Sequence, residues 1–235
     1  MQQLTLFNTS SRALRHTGNK KVRKSVRQPQ PSSDLELWSQ EQPSEKELAL
    51  FFLDIRNFTA LAERHQAFDV IHIVKKLFST FQHIIRIHHG RIIETSGDGF
   101  YAAFGFDDNV KQAVNASVKA GMAILKTLEN LNEQSFEKNL HQRLDIGIGI
   151  HVGSVATGNL SIGSRDHLIV MGYPVNVASR LQAATKALNN NFVVSSDVFK
   201  RLDDLGTKPE CITMYLKGVT TPLEIYLLGQ SYTAK

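Results

Sequence analysis

The feature that most constrains this chain is a short run of apolar residues, Leu48 to Leu53, that is followed at once by Asp54. The run is apolar at every position rather than at alternate ones, which is typical of a strand buried on both faces. It is also the longest such run, and a membrane helix needs about 20 apolar residues. We therefore predict a buried central strand that ends in a carboxylate, and no transmembrane segment.

Around this strand, the spacing of apolar residues and of turn residues predicts further helices and strands. Helices are predicted over 57–61, from about 68 to a glycine cap at 90, over 110–131, over 174–188 and briefly before 202. Strands are predicted over 91–95, 100–104, 144–151, 155–159, 167–171, around 192, over 212–216 and over 223–228. This order predicts an α+β fold, in which helices pack on one face of a mostly antiparallel sheet.

The positive charge of the chain is confined to its beginning. Residues 1–30 carry seven basic and no acidic residues, whereas the remainder holds 20 basic against 22 acidic residues. We predict a flexible basic arm and linker over 1–44, a folded domain over 45–230 and a short tail over 231–235. Such an arm suits contact with nucleic acid, anionic lipid or a protein partner. A solvated, flexible extension is the simpler interpretation, because the arm lacks the apolar content to fold.

Cysteine usage and the N-terminal sequence bear on the compartment. Cys211 is the only cysteine, which excludes an internal disulfide and any cysteine-based metal cluster. The N-terminus lacks the continuous apolar stretch of a signal peptide. The expected location is a reducing compartment, most simply the cytoplasm.

Two aspartates occupy positions suited to metal binding. Asp54 ends the buried strand, and Asp98 lies at a predicted hairpin tip between two glycines. If the two segments are neighbours in the sheet, both carboxylates converge at one end, as divalent cations on a triphosphate require. Taken singly, Asp54 is equally a cap for the next helix, and Asp98 is a favoured turn residue.

A second group of polar residues suits a polyanion. Asn176 and Arg180 lie four residues apart, on one face of the helix predicted from Pro174. An amide and a guanidinium near a helix N-terminus can stabilise negative charge that grows during a reaction. Lys217, in the turn of the last hairpin, is a third candidate contact to phosphate. An ordinary polar helix face is the competing interpretation.

The order of these motifs along the chain is more specific than any of them alone. They are Phe52-x-Asp54-Ile55-x-x-Phe58-Thr59, Gly97-Asp98-x-x-x-Ala102-x-Phe104-Gly105, Gly147-Ile148-Gly149-Ile150-His151-x-Gly153, Gly158-Asn159, Val175-Asn176-x-Ala178-Ser179-Arg180 and Leu216-Lys217-Gly218-Val219. Over roughly residues 45–230 the series resembles the class III nucleotidyl cyclases, the family of adenylate and guanylate cyclase catalytic domains. The resemblance implies their ferredoxin-like catalytic domain.

The resemblance also implies an activity and a set of site residues. Asp54, Asp98 and the backbone carbonyl of Ile55 match positions that hold two Mg²⁺ or Mn²⁺ ions, and Asn176 and Arg180 match the pair that positions the ribose and stabilises the transition state. Lys217 matches a lysine that contacts the triphosphate. The implied reaction turns a nucleoside triphosphate into a 3′,5′-cyclic nucleotide and pyrophosphate, for cyclic-nucleotide signalling. In this family the active site forms across a head-to-tail dimer, in which one chain supplies the aspartates and the other supplies the base-reading residues and the matches of Asn176, Arg180 and Lys217. Here the dimer would be a homodimer or a heterodimer with another cyclase domain.

The positions that match the family's base-reading pair are Glu94 and Ile169. A carboxylate only accepts hydrogen bonds, so Glu94 suits the N1–H and amino group of guanine and opposes N1 of adenine. Ile169 forms no hydrogen bond, so the pair fits neither purine pattern fully. GTP is the first expectation, ATP the second, and a pyrimidine triphosphate, as for related phage-defence cyclases, the third.

Two other functions remain open on the sequence alone. One is a catalytically silent cyclase-like module that binds a nucleotide or a partner. The retention of all five matched side chains argues against it, since a silent domain has no chemical need for them. The other is nucleic-acid binding through the basic arm, which is compatible with cyclase activity.

Overall fold

The computed structural model describes residues 43–140, 142–162, 165–206 and 208–232. The predicted arm and linker lie outside the described residues, except for their last two positions, 43 and 44. Residues 233–235 of the predicted tail also lie outside them. Within the described ranges, none of the helices combines the length and the apolar character needed to cross a membrane.

The described residues form an α+β domain. Its strands are β1 (Ser44–Ile55), β2 (Arg91–Ser96), β3 (Gly99–Phe104), β4 (Ile146–Ile162), β5 (Arg165–Met171), β6 (Phe192–Ser195), β7 (Glu210–Met214) and β8 (Leu223–Leu227). Its helices are α1 (Phe58–Arg64), α2 (Ala67–Ile87), α3 (Val110–Leu131), α4 (Glu137–Leu140), α5 (Tyr173–Ala187) and α6 (Ser196–Phe199), with a π-helical turn over Asn132–Phe136. The predicted α+β class is confirmed.

The strands build a mostly antiparallel sheet in the order β2-β3-β1-β4-β6-β8-β7, with β5 paired to the distal part of β4. Within the described ranges, β4 and β6 run parallel and the other pairs run antiparallel. Strand β1 lies between β3 and β4, as its apolar run predicts. The sheet therefore places the end of β1 beside the β2–β3 hairpin.

Helices cover both faces of the sheet. On one face, Phe51 and Leu53 of β1 join the main apolar core with residues of α2 and α3. On the other face, Leu48 and Leu50 pack in a second cluster that includes Ala178 of α5. The expectation that helices pack on one face is therefore wrong, because a strand that is apolar on both faces needs cover on both.

Glycines in β4 let α5 lie directly on the sheet. A Cβ at Gly149 would come within 2.2 Å of the backbone nitrogen of Gln182, and one at Gly153 within 2.6 Å of Pro174. The strands predicted over 144–151 and 155–159 are one continuous strand, β4, in the structure. The glycines are not strand breaks; they provide the space that α5 occupies.

Candidate active site

The two aspartates meet at one end of the sheet. In the antiparallel pairing of β1 with β3, Asp54 lies opposite Gly99, which directly follows Asp98. The backbone N–H of Ile55 donates to the carbonyl of Asp98 at 2.9 Å, so the hairpin tip is tied to the end of β1. A Cβ at Gly99 would lie only 3.0 Å from an Asp54 carboxylate oxygen, so a glycine here leaves room for that carboxylate.

The electrostatics of this pair favour a bound cation. Partial burial, and then the charge of Asp98, raise the pKa of Asp54 to about 6, while Arg56 acts in the opposite direction. The two carboxyl groups are close enough to raise the pKa of Asp54 through their interaction. Two adjacent carboxylates repel each other unless a proton or a cation lies between them, and hard oxygen ligands suit Mg²⁺ or Mn²⁺. The donor set therefore fits the implied metal.

Protein carboxylates alone do not complete such a site. Among the residues that the structure describes, no group of three or more His, Cys, Asp or Glu side chains could hold a metal ion. Divalent cations in phosphate-transfer sites commonly use one or two carboxylates and take their other ligands from substrate and water. Asp54 and Asp98, named here the acidic half-site, match that pattern.

A cavity of about 840 Å³ opens beside the acidic half-site. Glu94 and Asn176 line it together with both aspartates. Part of its wall is apolar, since the rings of Phe52 and Tyr101 stack with centroids 4.7 Å apart. A cleft with an acidic end, a polar helix and a flat aromatic wall can accept a ligand with both phosphate and ring components.

Asn176, in the first turn of α5, and Arg180, one turn further along, are both exposed. Gly172 precedes the helix with a φ of +154°, and Pro174 lies in the first turn, where a proline needs no hydrogen-bond donor. The predicted shared face of Asn176 and Arg180 follows from their spacing on this helix. Of these two residues, only Asn176 lines the cavity of the single chain.

The turn that carries Lys217 is anchored to the same helix. Leu216 and Val219 flank the exposed Lys217-Gly218 and belong to one apolar cluster with Val177 and Leu181 of α5. Gly218 has a φ of +79°, which explains a glycine at this position in the turn. Asn176, Arg180 and Lys217, named here the α5 half-site, are thus carried by one packed unit.

The structure does not gather all the predicted residues in one chain. Arg180, Lys217 and Ile169 lie outside the cavity wall, in which β5 is represented by Val170 and Met171. Ile169 is half-buried opposite Gly158 of β4. Glu94 is exposed and pairs across the hairpin with Tyr101. A single chain therefore offers an acidic half-site and an α5 half-site, with Arg180 and Lys217 outside its own cleft.

Sequence reasoning missed two side chains that shape this region. The hydroxyl of Tyr101 donates to the backbone carbonyl of Val170 at 3.4 Å, and burial followed by the charge of Glu94 raises the pKa of Tyr101. Arg56, next to the Asp54-Ile55 motif, bonds to Gln182. The position of Arg56 next to the Asp54-Ile55 motif could have marked it as a site residue. The role of Tyr101 could not be predicted, because it depends on the pairing of Tyr101 with Glu94 across two strands.

Comparisons with known proteins agree with this geometry. A family model described as the adenylate and guanylate cyclase catalytic domain matches residues 40–230. Adenylate cyclase 1 of Rhizobium meliloti is 26% identical over 181 residues, which are 77% of this chain and 27% of that protein. The chain therefore spans only about a quarter of the length of this relative.

Two crystal structures share the fold. The adenylyl cyclase CyaB from P. aeruginosa superimposes with a TM-score of 0.70 at 25% identity, covering 83% of this chain and 98% of that one. The guanylyl cyclase Cya2 superimposes with a TM-score of 0.73 at 25% identity, covering 82% of this chain and 96% of that one. The domain thus resembles solved cyclase domains over nearly their whole length.

Proposed function

Because the chain belongs to the family of adenylate and guanylate cyclase catalytic domains, we propose that it converts a nucleoside triphosphate to a 3′,5′-cyclic nucleotide and pyrophosphate. The observation that carries this proposal is the convergence of Asp54 and Asp98 at one end of the sheet, beside the cavity that both residues line. In the reaction, the ribose 3′-oxygen forms a bond to the α-phosphorus. The bond from that phosphorus to the oxygen that bridges to the β-phosphate breaks, and pyrophosphate leaves with that oxygen. The proton of the 3′-hydroxyl passes to water.

Asp54, Asp98 and the backbone carbonyl of Ile55 would hold two Mg²⁺ or Mn²⁺ ions. When bound, such ions lower the pKa of the ribose 3′-hydroxyl and offset phosphate charge. Asn176 would orient the ribose, so that its 3′-oxygen lies in line with the leaving group. Arg180 would stabilise the charge that develops on the α-phosphate oxygens, and Lys217 would bind the triphosphate.

We propose that the active site forms between two chains. Arg180 and Lys217 are exposed and lie outside the cavity that contains the acidic half-site of their own chain. A head-to-tail dimer would bring the α5 half-site of one chain to the acidic half-site of the other. A homodimer has two equivalent sites, and a heterodimer with another cyclase domain would use the same complementarity.

For the base, we propose GTP first, ATP second and a pyrimidine triphosphate third. Glu94 lines the cavity, and its carboxylate can accept hydrogen bonds from N1–H and the amino group of guanine. Because Glu94 is exposed in the single chain, it can discriminate strongly only when a second chain encloses it. Ile169 would contribute shape alone at this subsite.

The direct test is incubation of the purified protein with each of the four nucleoside triphosphates and Mn²⁺, with products identified by mass spectrometry. The expected product is a cyclic nucleotide, formed with an equal amount of pyrophosphate. Asp54→Ala and Asp98→Ala should each lower the rate by about 100-fold or more. Asp108→Ala, at an exposed acid away from the cavity, is the matched control. Binding of a nucleotide without any product would favour the silent-module alternative.

A further inference from the structure

Arg56 directly follows the end of β1, and its guanidinium joins distant parts of the fold. Its Nε–H donates to the hydroxyl of Tyr232 at 3.0 Å, and its Nη2 donates to the backbone carbonyl of Gln182 in α5 at 3.2 Å. Its backbone N–H donates to the carbonyl of Asp145 at 2.7 Å. Arg56 therefore links the strand of the acidic half-site to α5 and to the C-terminal segment.

The neighbouring strand leaves space for this side chain. Gly147 of β4 lies opposite Asp54 in the sheet. A Cβ at Gly147 would come within 2.1 Å of Arg56 Nη2 and 2.5 Å of the hydroxyl of Thr185. A side chain larger than hydrogen at position 147 would thus displace the guanidinium from α5. The glycine is needed for the Arg56 contact itself.

Gln182 ties α5 to the strands on both sides of this point. Its backbone carbonyl accepts the hydrogen bond from Arg56, and its side-chain Nε2 donates to the carbonyl of Gly147 at 3.2 Å. Gln182 is buried and also lines the cavity. The end of β1, the start of β4 and the middle of α5 are therefore held together within two residues of Asp54.

The C-terminal segment fixes the other side of the guanidinium. The backbone N–H of Gln230 donates to the side chain of Asn191 at 2.9 Å, and that of Tyr232 donates to the side chain of Asn189 at 3.3 Å. The carbon centre of the Arg56 guanidinium lies 5.4 Å from the centroid of the Tyr232 ring, within range of a cation–π contact. A planar guanidinium held on two sides cannot be replaced by a simple point charge.

We propose that Arg56 is a positioning residue that fixes the acidic half-site to the α5 half-site of its own chain. The inference rests on the proposed function, in which these two half-sites serve two different active sites of the dimer. In each chain, Arg56 thus connects the part that contributes to one active site with the part that contributes to the other. Arg56 is not among the residues that line the cavity, and it acts through Gln182 and the end of β1.

Mixed dimers can separate the effect of Arg56 on the acidic half-site from its effect on the α5 half-site. A chain with Arg180→Ala still supplies its acidic half-site, and a chain with Asp54→Ala still supplies its α5 half-site. A dimer of these two parent chains therefore contains one intact site. Arg56→Met is then placed in one parent or in the other, and the rate is measured against Mn²⁺ concentration. Arg64→Met, at an exposed arginine of α1, is the matched control.

Each placement has its own expected result. In the chain that supplies the acidic half-site, Arg56→Met should raise the Mn²⁺ concentration for half-maximal rate about tenfold and leave the maximal rate nearly unchanged. In the chain that supplies α5, it should lower the maximal rate about tenfold and leave the Mn²⁺ requirement unchanged. An equal loss of rate from both placements, with no change in the Mn²⁺ requirement, would mean that Arg56 only supports folding and would overturn the proposal. A change from one placement alone would also overturn it.

A readout that needs no turnover checks the first effect. In the absence of nucleotide, Mn²⁺ should raise the Tm of the wild-type homodimer, and Arg56→Met should need about ten times more Mn²⁺ for the same rise. If Arg56→Met does not fold, Tyr232→Phe is the second variant, because it removes the hydroxyl that accepts the hydrogen bond from Arg56. This variant should need about three times more Mn²⁺ than the wild type for the same rise in Tm. An unchanged Mn²⁺ requirement in the variants overturns the proposal.

Different results would disprove the two-chain active site and the role of Arg56. If the parent mixture without any change at Arg56 forms no cyclic nucleotide, the proposed two-chain site is wrong. If that mixture is active and Arg56→Met and Tyr232→Phe leave both the Mn²⁺ requirement and the maximal rate unchanged, the two-chain site stands and the role of Arg56 is wrong.

Discussion

The backbone N–H of Ile55 donates a hydrogen bond to the carbonyl oxygen of Asp98, across 2.9 Å. This bond continues the β1–β3 pairing by one step beyond Asp54 and so fixes the hairpin tip against the end of the central strand. As a result, two acidic residues that are far apart in sequence lie at the same end of the sheet.

The first prediction concerns the stability of the metal-free protein. Partial burial and the charge of Asp98 raise the pKa of Asp54 to about 6, from 3.8, so the folded state favours the neutral carboxyl group. The free energy of unfolding therefore decreases as pH rises from about 4 to about 6. Asp54→Asn should stabilise the metal-free protein at pH 8 by roughly 1 kcal/mol, after allowance for solvent screening at this half-exposed site.

Thermal unfolding in a metal chelator measures this effect. The Tm difference between Asp54→Asn and wild type should be about 2 to 4 °C at pH 8 and should nearly vanish at about pH 3, where Asp54 is mostly protonated in both the folded and the unfolded state. Added Mn²⁺ should raise the Tm of the wild type and have little effect on the variant. A variant that is less stable than wild type at pH 8 without metal would contradict the account.

The second prediction concerns the base. Glu94→Lys replaces an acceptor of hydrogen bonds by a donor, which suits N1 of adenine and opposes N1–H of guanine. The ratio of kcat/KM for ATP to that for GTP should rise by about 10- to 100-fold. Glu63→Lys, at an exposed position of α1, is the control. An unchanged ratio would mean that Glu94 does not face the base.

The third prediction concerns the close packing of α5. Gly149→Ala would bring a methyl group within 2.2 Å of the backbone of Gln182, so α5 must move. We expect the free energy of unfolding to fall by about 2 kcal/mol, with a large loss of activity, because α5 carries Asn176 and Arg180. Chemical denaturation and the cyclase assay measure the two effects.

A glycine of the same strand provides the control for that substitution. A Cβ at Gly158 would meet nothing closer than 3.8 Å. Gly158→Ala should therefore leave stability unchanged or raise it slightly, since alanine reduces the entropy of the unfolded chain. Equal destabilisation by both substitutions would contradict the role assigned to Gly149.

The fourth prediction concerns a buried histidine outside the active site. His151 shares a hydrogen bond of 2.8 Å with Ser195, and burial lowers its pKa to about 4. The charge of Asp197 raises this pKa and that of Arg201 lowers it, both by less than burial does. Between about pH 6.5 and pH 4 the unfolded chain binds a proton that the folded chain does not. As the pH is lowered from about 6.5 to about 4, His151 should therefore lower the free energy of unfolding by roughly 3 kcal/mol.

Denaturation over this pH range tests the assignment. His151→Gln should flatten the dependence of unfolding free energy on pH, whatever its constant effect on stability. His83→Gln, at an exposed site on α2, should leave the dependence as in the wild type. Parallel curves for His151→Gln and wild type would show that another group causes the acid sensitivity.

Local signals in the sequence predicted most of the elements. The bounds predicted for α3, Val110–Leu131, are those observed, and a capping box formed by Asn109 and Gln112 marks its start. The apolar run before Asp54 predicted the central strand, and the glycines around Asp98 predicted the hairpin tip. Each of these features depends on residues close together in the chain.

What sequence reasoning missed depends on contacts between distant segments. The glycines of β4 indicated close approach of another backbone, but not that α5 lies on the face opposite α2 and α3. The bond between Arg56 and Tyr232 joins residues 176 positions apart. The position of Arg180 outside its own chain's cavity also follows only from the folded arrangement.

The most direct measurement for the central claim is the cyclase rate of a mixture of Asp54→Ala and Arg180→Ala chains, denatured together and refolded in equal amounts. Each variant alone should be nearly inactive. With random pairing, half of the dimers are mixed and each has one intact site of two, so the mixture should regain about one quarter of the wild-type rate. A mixture no more active than its two components would contradict an active site shared between two chains.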